Sequence, residues 1–252
     1  MPFFAQAQTH KVLVKTNMGN MTVMLYDDTP SHRDAFMRLV NSGHYDGTLF
    51  YRVIKDFVVQ GGSSSSRKAV EGSYIGYGTS VNINSEFSEK RFHKKGAICA
   101  PRQPEEINHF KKSDIGQFYF SVGRKVPLQE LENIENAVNV PIKRALKAKY
   151  YTPRKPELDS LRVNNPRGFN ELLREIKSQI AVDYALSEKL EFPEGLKEAY
   201  TTIGGVPTLD GEYTVFGEIV EGIEVLDKIV NLKTDRNDRP YTDVRMELIV
   251  LH

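Results

Sequence analysis

Residues 50–62 read FYRVIKDFVVQGG, and this stretch decides how the whole chain is interpreted. Its β-branched and aromatic residues are typical of a strand, which Gly61-Gly62 would end. Strict alternation puts Arg52 and Ile54 on one face, although the apolar run at 57–59 blurs the pattern. An arginine and a glutamine inside so apolar a segment have two explanations. They are exposed or paired at the rim of a sheet, or they belong to a functional site.

The composition is that of an ordinary globular protein. The chain has 252 residues, of which 40% are hydrophobic and 27% are charged, and its formal net charge is +1. This length fits one large domain, or one domain that carries an insertion. Because no strong overall charge would attract a polyanion, we expect no nucleic-acid partner.

The residue pattern gives no support for a cofactor. Cys99 is the only cysteine, which excludes an internal disulfide and any paired-cysteine metal or redox motif. The six histidines lack a metal-ligand spacing such as HExxH. We therefore expect no metal and no other cofactor. No apolar run is long enough to span a bilayer, so we expect no membrane span.

The first residues, MPFFAQAQTH, allow two interpretations. Phe3-Phe4 followed by Ala5-Gln6-Ala7 resembles the end of a secretory signal, where a small-x-small cleavage site follows apolar residues. In that case 1–9 is a signal-peptide remnant, and the protein works in the periplasm or is exported. The alternative is a disordered tail on a cytoplasmic protein.

Short strands separated by turn residues dominate both ends of the chain. KVLVKTNMGNMTVMLYDD at 11–28 predicts two strands around a turn, and TPSHRDAFMRLVNSGHYDG at 29–47 predicts a helix. The glycine- and serine-rich stretch 61–85 predicts a long surface loop. Further β runs and a short helix are predicted at 96–100, 116–122, 213–220, 222–230 and 243–251.

The interval 124–203 has a different pattern. Apolar residues recur there at helical spacing, and prolines stand where helices tend to start. Since short strands flank the interval, the simplest account is an α-helical insertion between two strands of a β core. PIKRALKAKYYTPRK at 141–155 is basic, which indicates either a solvated face or a docking patch for an acidic partner.

In this order the elements resemble a cyclophilin. FYRVIKDFVVQGG is similar to the family signature F-H-R-V-I-x-x-F-M-x-Q-G-G, GQFYF to S-Q-F-F-I, and LDGEYTVFG to L-D-x-x-H-x-V-F-G. The resemblance covers 10–123 and 204–252. It implies a mainly β fold, a closed eight-stranded antiparallel barrel capped by two helices, with the insertion at 124–203. It also implies peptidyl-prolyl cis-trans isomerase activity.

Physical chemistry explains why an arginine suits that reaction. Rotation about an X-Pro bond crosses a barrier of about 18–20 kcal/mol, because twisting breaks amide resonance. No bond is made or broken, so neither a nucleophile nor a metal is required. The twisted proline nitrogen becomes a hydrogen-bond acceptor, which the planar amide is not. A fixed guanidinium beside it therefore stabilises the transition state more than the ground state.

The resemblance assigns these roles to particular residues. Arg52 is the expected catalytic donor, and Gln60 is expected to hold the substrate backbone and to orient Arg52. The residues implied in substrate binding are Phe57, Val58, Gln117, Tyr119, Leu209, Tyr213, Pro101 and Arg102.

Several positions depart from the family pattern. Tyr51 replaces a histidine, Thr208 replaces a tryptophan, and Pro101-Arg102 replaces an alanine-asparagine pair. Aromatic rings are kept at Tyr119 and Tyr213, each with an added hydroxyl. We expect the activity to persist through these changes.

Two functional hypotheses follow. The first is an isomerase that assists folding by acting on unfolded or proline-containing protein clients. The second is a proline-peptide-binding chaperone or scaffold with little turnover. In either case the insertion has two expected destinations: another protein, or the barrel itself, where it would act as a lid.

Overall fold

The structure, a computed structural model, describes residues 10–70, 73–76 and 80–251. The signal remnant or tail expected at 1–9 lies outside the described residues. Within these ranges, no helix combines the length and the apolar character needed to cross a membrane.

In sequence, antiparallel strands precede and follow a helical middle segment. The strands are β1 Lys11–Thr16, β2 Gly19–Leu25, β3 Phe50–Ile54, β4 Val58–Gly61, β5 Asn82–Ile83, β6 Ala97–Cys99, β7 Ser113–Asp114, β8 Phe118–Ser121, β9 Val215–Glu221 and β10 Met246–Leu251. The helices are α1 Pro30–Asn41, α2 Leu128–Tyr150, α3 Lys155–Asn164, α4 Pro166–Ala185, α5 Glu194–Thr202 and α6 Ile223–Val230.

The chain divides into two compact units. The barrel unit runs up to Lys125 and resumes at Ala199, and the helical unit is Val126–Glu198. The helix α5 begins in the helical unit and ends in the barrel unit.

Eight strands form one antiparallel sheet in the order β10-β1-β2-β9-β6-β8-β4-β3. This is a half-barrel, and the prediction of a closed barrel is wrong. Across the seam between β3 and β10, the described residues form the isolated bridge Leu49–Arg245 and neighbouring backbone bonds, such as Phe50 N–H to the Val244 carbonyl at 2.9 Å. These contacts reach no further than the first residue of each strand, so no continuous ladder joins β3 to β10.

The main core lies on the inner face of this sheet. Apolar residues alternate along the strands, so that Val59, Ile98, Phe120 and Phe216 all point inward and are fully buried. The strand residues that alternate with these core residues lie on the opposite, outer face of the sheet.

Two helices cover the core, as predicted. α1 starts at Pro30, whose fixed φ suits the first turn of a helix, and it buries Phe36 and Val40 on one side. α6 buries Leu226 and Ile229 in the same core.

The described parts of the predicted loop 61–85 contain short regular elements. Residues Ser64–Ser66 form one turn of 3-10 helix, and β5 pairs with β7. The buried Ser66 hydroxyl donates to the Ser63 carbonyl at 2.6 Å and accepts the Leu49 N–H at 2.9 Å. Part of the serine run therefore anchors the backbone next to β3.

The helical unit has a small core of its own. The helices α3 and α4 pack around Leu158, Leu172 and Ile176, which are almost completely buried. Asn165 caps α4, because its side-chain oxygen accepts the Gly168 N–H at 3.0 Å.

Candidate active site

A β-bulge sets the position of Arg52. In the β3–β4 pair, Phe50 lies opposite Gly61 and Arg52 lies opposite Gln60, so Tyr51 is an extra residue in its strand. Two residues of β3 therefore oppose one residue of β4, which redirects side chains at this point. Gln60 Nε2 accordingly reaches the Tyr51 hydroxyl, to which it donates at 2.7 Å.

The strand register aligns several predicted residues in a single row. Arg52 lies opposite Gln60, Gln60 opposite Tyr119, Tyr119 opposite Cys99, and Cys99 opposite Val215. Directly opposed residues share a face of a sheet. These five residues, the outer row, therefore cross five strands on the face opposite the main core.

Apolar side chains on this face form a cluster separate from the core, which we call the outer cluster. Its members are Tyr26, Val58, Ala97, Cys99, Tyr119 and Val215, with Met24, Phe57, Leu209 and Tyr213 packed against them. It brings together the five apolar residues predicted for the proline pocket. The rings of Tyr119 and Tyr213 meet edge to face, with centroids 6.0 Å apart.

Arg52 stands at the polar end of the outer row. Its side chain is 40% exposed, and its Nε lies 3.9 Å from Asp238 Oδ2. An exposed pair at this distance contributes little energy, so the guanidinium can exchange this partner for another. Arg52 also lines a pocket of about 180 Å³ together with Tyr51, Tyr74 and Asn237.

A chain of polar side chains runs beside Arg52. The Tyr51 hydroxyl, which Gln60 contacts, donates to Gln117 Oε1, and Gln117 Nε2 donates to Asp114 Oδ2 at 3.1 Å. Asp114 is fixed in turn, because its Oδ1 accepts the Val81 N–H at 2.9 Å. Gln117 is only 6% exposed, so this chain orients Gln60 from within the protein.

The Pro101-Arg102 pair is engaged by the protein itself. Arg102 donates from Nε to the Glu212 carbonyl at 2.9 Å and from NH2 to the Glu212 carboxylate at 2.8 Å. Its guanidinium carbon lies 5.0 Å from the centroid of the Tyr213 ring. The Pro101 carbonyl accepts the Asp114 N–H at 2.8 Å. Arg102 therefore braces the Tyr213 segment.

Sequence reasoning missed a buried polar network behind Tyr119. His93 is completely buried; its Nε2 lies 2.9 Å from the Tyr119 hydroxyl and its Nδ1 lies 2.8 Å from Asp210 Oδ1. Tyr200, on α5, donates to Asp210 Oδ2 at 2.5 Å. With Nδ1–H donating to the carboxylate, Nε2 accepts from Tyr119. The network thus fixes the ring that forms one wall of the outer cluster.

Burial keeps Tyr119 and Cys99 of the outer cluster neutral. Desolvation raises the pKa of the Tyr119 phenol and of the Cys99 thiol. A thiol held in this form is not a nucleophile. Beside the cluster, Lys111 and Arg102 lower the pKa of Glu212, which keeps this carboxylate ionised and paired. Among the described residues, no group of three or more potential ligand side chains could hold a metal ion.

The family model described as "Cyclophilin type peptidyl-prolyl cis-trans isomerase/CLD" matches residues 11–138 and 198–250. The chain belongs to the cyclophilin family. The resemblance drawn from the sequence motifs is thereby confirmed. Residues 139–197 of this cyclophilin fall outside the match.

Curated relatives of this cyclophilin align along nearly its full length. A protein of Staphylococcus epidermidis named "Putative peptidyl-prolyl cis-trans isomerase" is 28% identical over 95% of the chain and 90% of its own length. A protein of Staphylococcus haemolyticus with the same name is 29% identical. A longer Streptococcus pyogenes protein, named "Putative bifunctional phosphatase/peptidyl-prolyl cis-trans isomerase", is 28% identical, and the match covers 38% of it.

Solved structures share the fold. A cyclophilin type peptidyl-prolyl cis-trans isomerase of Cryptosporidium parvum is 16% identical, with a TM-score of 0.55, and the match covers 97% of this chain and 98% of that one. The same protein crystallised in the presence of the dipeptide Ala-Pro gives a TM-score of 0.53. At this identity, the likeness concerns the fold alone.

Proposed function

We propose that this cyclophilin catalyses rotation of X-Pro bonds in unfolded or proline-containing protein clients, with Arg52 as the group that stabilises the twisted amide. The observation that carries the proposal is the outer row. It joins one weakly paired guanidinium, through Gln60, to the apolar outer cluster around Tyr119.

The apolar part of the site suits a proline ring. Phe57, Leu209 and Tyr213 are partly buried and pack on the more deeply buried Val58 and Tyr119. A ring seated among them leaves water, which is favourable by about 25 cal/mol for each Å² of apolar surface buried. This binding acts on both flat isomers, so it holds the substrate without selecting the transition state.

The polar part of the site is proposed to stabilise the twisted transition state more than the flat isomers. In the proposed mechanism Arg52 leaves Asp238 and donates to the proline nitrogen as the amide twists, while Gln60 binds the substrate backbone. The polar chain through Tyr51 and Gln117 supports this arrangement, because it fixes the Gln60 amide before the substrate arrives. A preorganised donor pays no reorganisation energy during the reaction.

A protease-coupled assay on a short X-Pro peptide tests the mechanism. We expect Arg52→Ala to lower kcat/KM by about 10²- to 10³-fold, as loss of a transition-state donor does elsewhere. Asp238→Asn is the matched control, since it removes the partner of Arg52 and leaves the donor, and we expect little change. Equal rates for wild type and Arg52→Ala would remove Arg52 from the mechanism. No rate above background in wild type would favour the peptide-binding module instead.

We also propose that the chain acts outside the cytoplasm and assists protein folding there. The support is the small-x-small motif after Phe3-Phe4. Fractionation of the native host with an antibody against the barrel unit tests the location, and finding the protein only in the cytoplasm would contradict it.

Refolding of a client whose slow phase is limited by proline isomerisation, with catalytic amounts of the protein, tests the role in folding. An unchanged slow phase would argue against that role.

A further inference from the structure

A groove of about 510 Å³ lies on the helical unit, between α2 and α4. It is lined by Lys143, Lys147, Tyr151, Leu173, Ile176, Lys177, Ile180, Ala181 and Tyr184. Its volume is in the range of pockets that bind ligands in proteins. All these residues lie within 139–197, outside the family match, and none of them belongs to the outer row or the outer cluster.

The floor of the groove is apolar. Leu173, Ile176 and Ile180 recur at spacings of three and four residues along α4 and so lie on one side of that helix. Ile176 is part of the small core of the helical unit, and Leu173 and Ile180 pack against that core while remaining partly exposed. The floor is therefore a rigid extension of the core that stays open to solvent.

The rim of the groove is positively charged. Lys143 and Lys147 stand on α2 and Lys177 stands on α4, and no carboxylate residue lines the groove. In the described part of the chain, none of the three lysines forms an ion pair. Lys143 Nζ lies 4.9 Å from the Tyr184 ring centroid, and Lys147 Nζ lies 5.4 Å from that of Tyr151.

Two acidic residues of α4, Glu175 and Asp183, are paired away from the groove. Asp183 accepts from Lys149 and Tyr150, and Glu175 lies 3.8 Å from Arg154. The charges on the groove are thus unmatched within this unit, next to an apolar floor. A solvated basic face would need no such floor.

We propose that this groove docks an acidic amphipathic helix of a partner protein. Apolar side chains at positions i, i+3, i+4 and i+7 of the partner fill the floor, and glutamates or aspartates beside them pair with the three lysines. Helix-in-groove recognition uses this combination of apolar anchors and complementary flanking charge. The part of the basic segment 141–155 that lines the groove, Lys143, Lys147 and Tyr151, is then a docking patch, in line with the second of the two interpretations that the sequence allows.

The concave shape favours a peptide over a membrane surface. Helices that lie on anionic membranes bury a protruding apolar face into the lipid boundary. Here the apolar side chains form a floor between two helices, with the lysines above it on both sides. A flat lipid surface would reach the lysines without filling the floor.

Binding of a designed peptide to the full chain tests the proposal. The probe is a fluorescein-labelled 16-residue helix former with leucines at i, i+3, i+4 and i+7 and glutamates at the flanking positions. One control peptide replaces the leucines by serine, and another replaces the glutamates by lysine. We expect the leucine-glutamate peptide to bind at least tenfold more tightly than either control, and to weaken as salt is added.

Variants locate the binding. Lys143→Glu/Lys147→Glu/Lys177→Glu is expected to weaken binding of the probe at least tenfold. The triple Lys→Gln variant at the same positions should weaken it less and guards against misfolding of the reversed-charge protein. The matched control, Arg144→Glu/Lys155→Glu/Arg174→Glu, changes charge equally at exposed positions outside the groove and should stay within threefold of wild type.

Four results would overturn the proposal. Equal weakening by the two Glu variants would indicate attraction by overall charge alone, and equal binding of the serine peptide would mean that the floor is not used. Lysine-dependent binding to phosphatidylserine vesicles without binding of the peptide would indicate a membrane instead. Lysine-dependent self-association in sedimentation would indicate a second copy of the chain. X-Pro rates recorded on the same variants should not change, which separates this proposal from the isomerase mechanism.

Discussion

The barrel unit and the helical unit differ in how completely they bury their apolar side chains. The barrel unit encloses large aromatic side chains completely, among them Phe36, Phe118, Phe120 and Phe216. The helical unit buries smaller groups of side chains, among them Leu158, Leu172 and Ile176, and leaves Val163 and Leu186 each 81% exposed. The barrel unit keeps its main core and its candidate site on opposite faces of one sheet. The helical unit uses Ile176 both for its core and for its proposed docking surface.

The sheet makes this separation possible. Successive residues of a strand point to opposite faces, so the main core and the outer row alternate in sequence without sharing side chains. In α4 of the helical unit, Ile176 belongs both to the core and to the groove floor. The contrast predicts that a change at Ile176 affects folding and docking together, whereas a change in the main core of the barrel leaves the side chains of the outer row in place.

Core truncation should give the largest difference between the units. Phe118→Ala removes a fully buried ring and is expected to lower the free energy of unfolding by about 3–5 kcal/mol. Leu172→Ala should cost roughly 2 kcal/mol, the low end for such a change, because its cluster is small and able to collapse. Urea denaturation, monitored by hydrogen exchange in each unit, measures both free-energy changes. Equal acceleration of exchange in the barrel by Leu172→Ala would contradict the independence of the two units.

Loss of a tyrosine hydroxyl should have a smaller effect, again larger in the barrel. Tyr119→Phe leaves His93 Nε2 buried without its donor, at a cost of about 1–3 kcal/mol in unfolding free energy. Tyr150→Phe is the matched change in the helical unit. It removes a bond to Asp183, which keeps Lys149 and access to water, so the expected cost is below about 1 kcal/mol. Similar costs for both would show that burial does not decide the value of the bond.

Surface ion pairs should matter for activity only in the barrel. Arg102→Ala releases the Tyr213 segment, and we expect KM to rise about three- to fivefold with kcat unchanged, as for loss of uniform binding. Glu212→Gln should produce a similar rise if Arg102 acts by bracing Tyr213. A silent Glu212→Gln would instead mean that Arg102 contacts the substrate directly. Arg154→Ala, which breaks a pair inside the helical unit, is the control and should leave KM unchanged.

Mild acid should weaken the barrel unit before the helical unit. Burial lowers the pKa of His32 below its ordinary value of 6.5, despite the opposing effect of Glu86. The folded state therefore keeps His32 neutral while the unfolded chain takes up a proton, so stability falls as the pH drops below about 6.5. One such proton changes the unfolding constant at most about tenfold per pH unit.

Asp183 in the helical unit is the control for the effect of mild acid. Tyr150 and Lys149 lower the pKa of this carboxyl group below its ordinary value of 3.8. The stability that this carboxylate contributes is complete above pH 3.8 and is lost only at lower pH. Thermal unfolding between pH 7 and 5, repeated with His32→Asn, checks the assignment. An unchanged pH response in that variant would exclude His32 as the cause.

Local sequence patterns predicted the elements that depend on local chemistry. Alternation and turn residues indicated the strands, and helical spacing indicated the insertion. The motifs identified apolar residues that lie together in the outer cluster, among them Phe57, Val58 and Tyr213. Their roles in binding remain predictions. The patterns suffice because each motif is a short stretch whose register fixes the face on which its side chains lie.

Features that depend on distant residues could not be predicted. The bulge at Tyr51 breaks the one-to-one pairing that alternation assumes, and the open seam depends on where β3 and β10 begin. His93 and Asp210 are separated by 117 positions in sequence, and neither belongs to a recognisable pattern. Nothing in the sequence around Arg102 indicated that its guanidinium would pair with Glu212.

The outer cluster also makes this protein a suitable starting point for directed evolution. Phe57, Leu209 and Tyr213 are its partly exposed members, so randomising them would vary the shape of the pocket while the main core keeps its composition. Most members of such a library should remain soluble. Selection could then act on which amino acid precedes proline in the substrate, without first repairing damaged scaffolds.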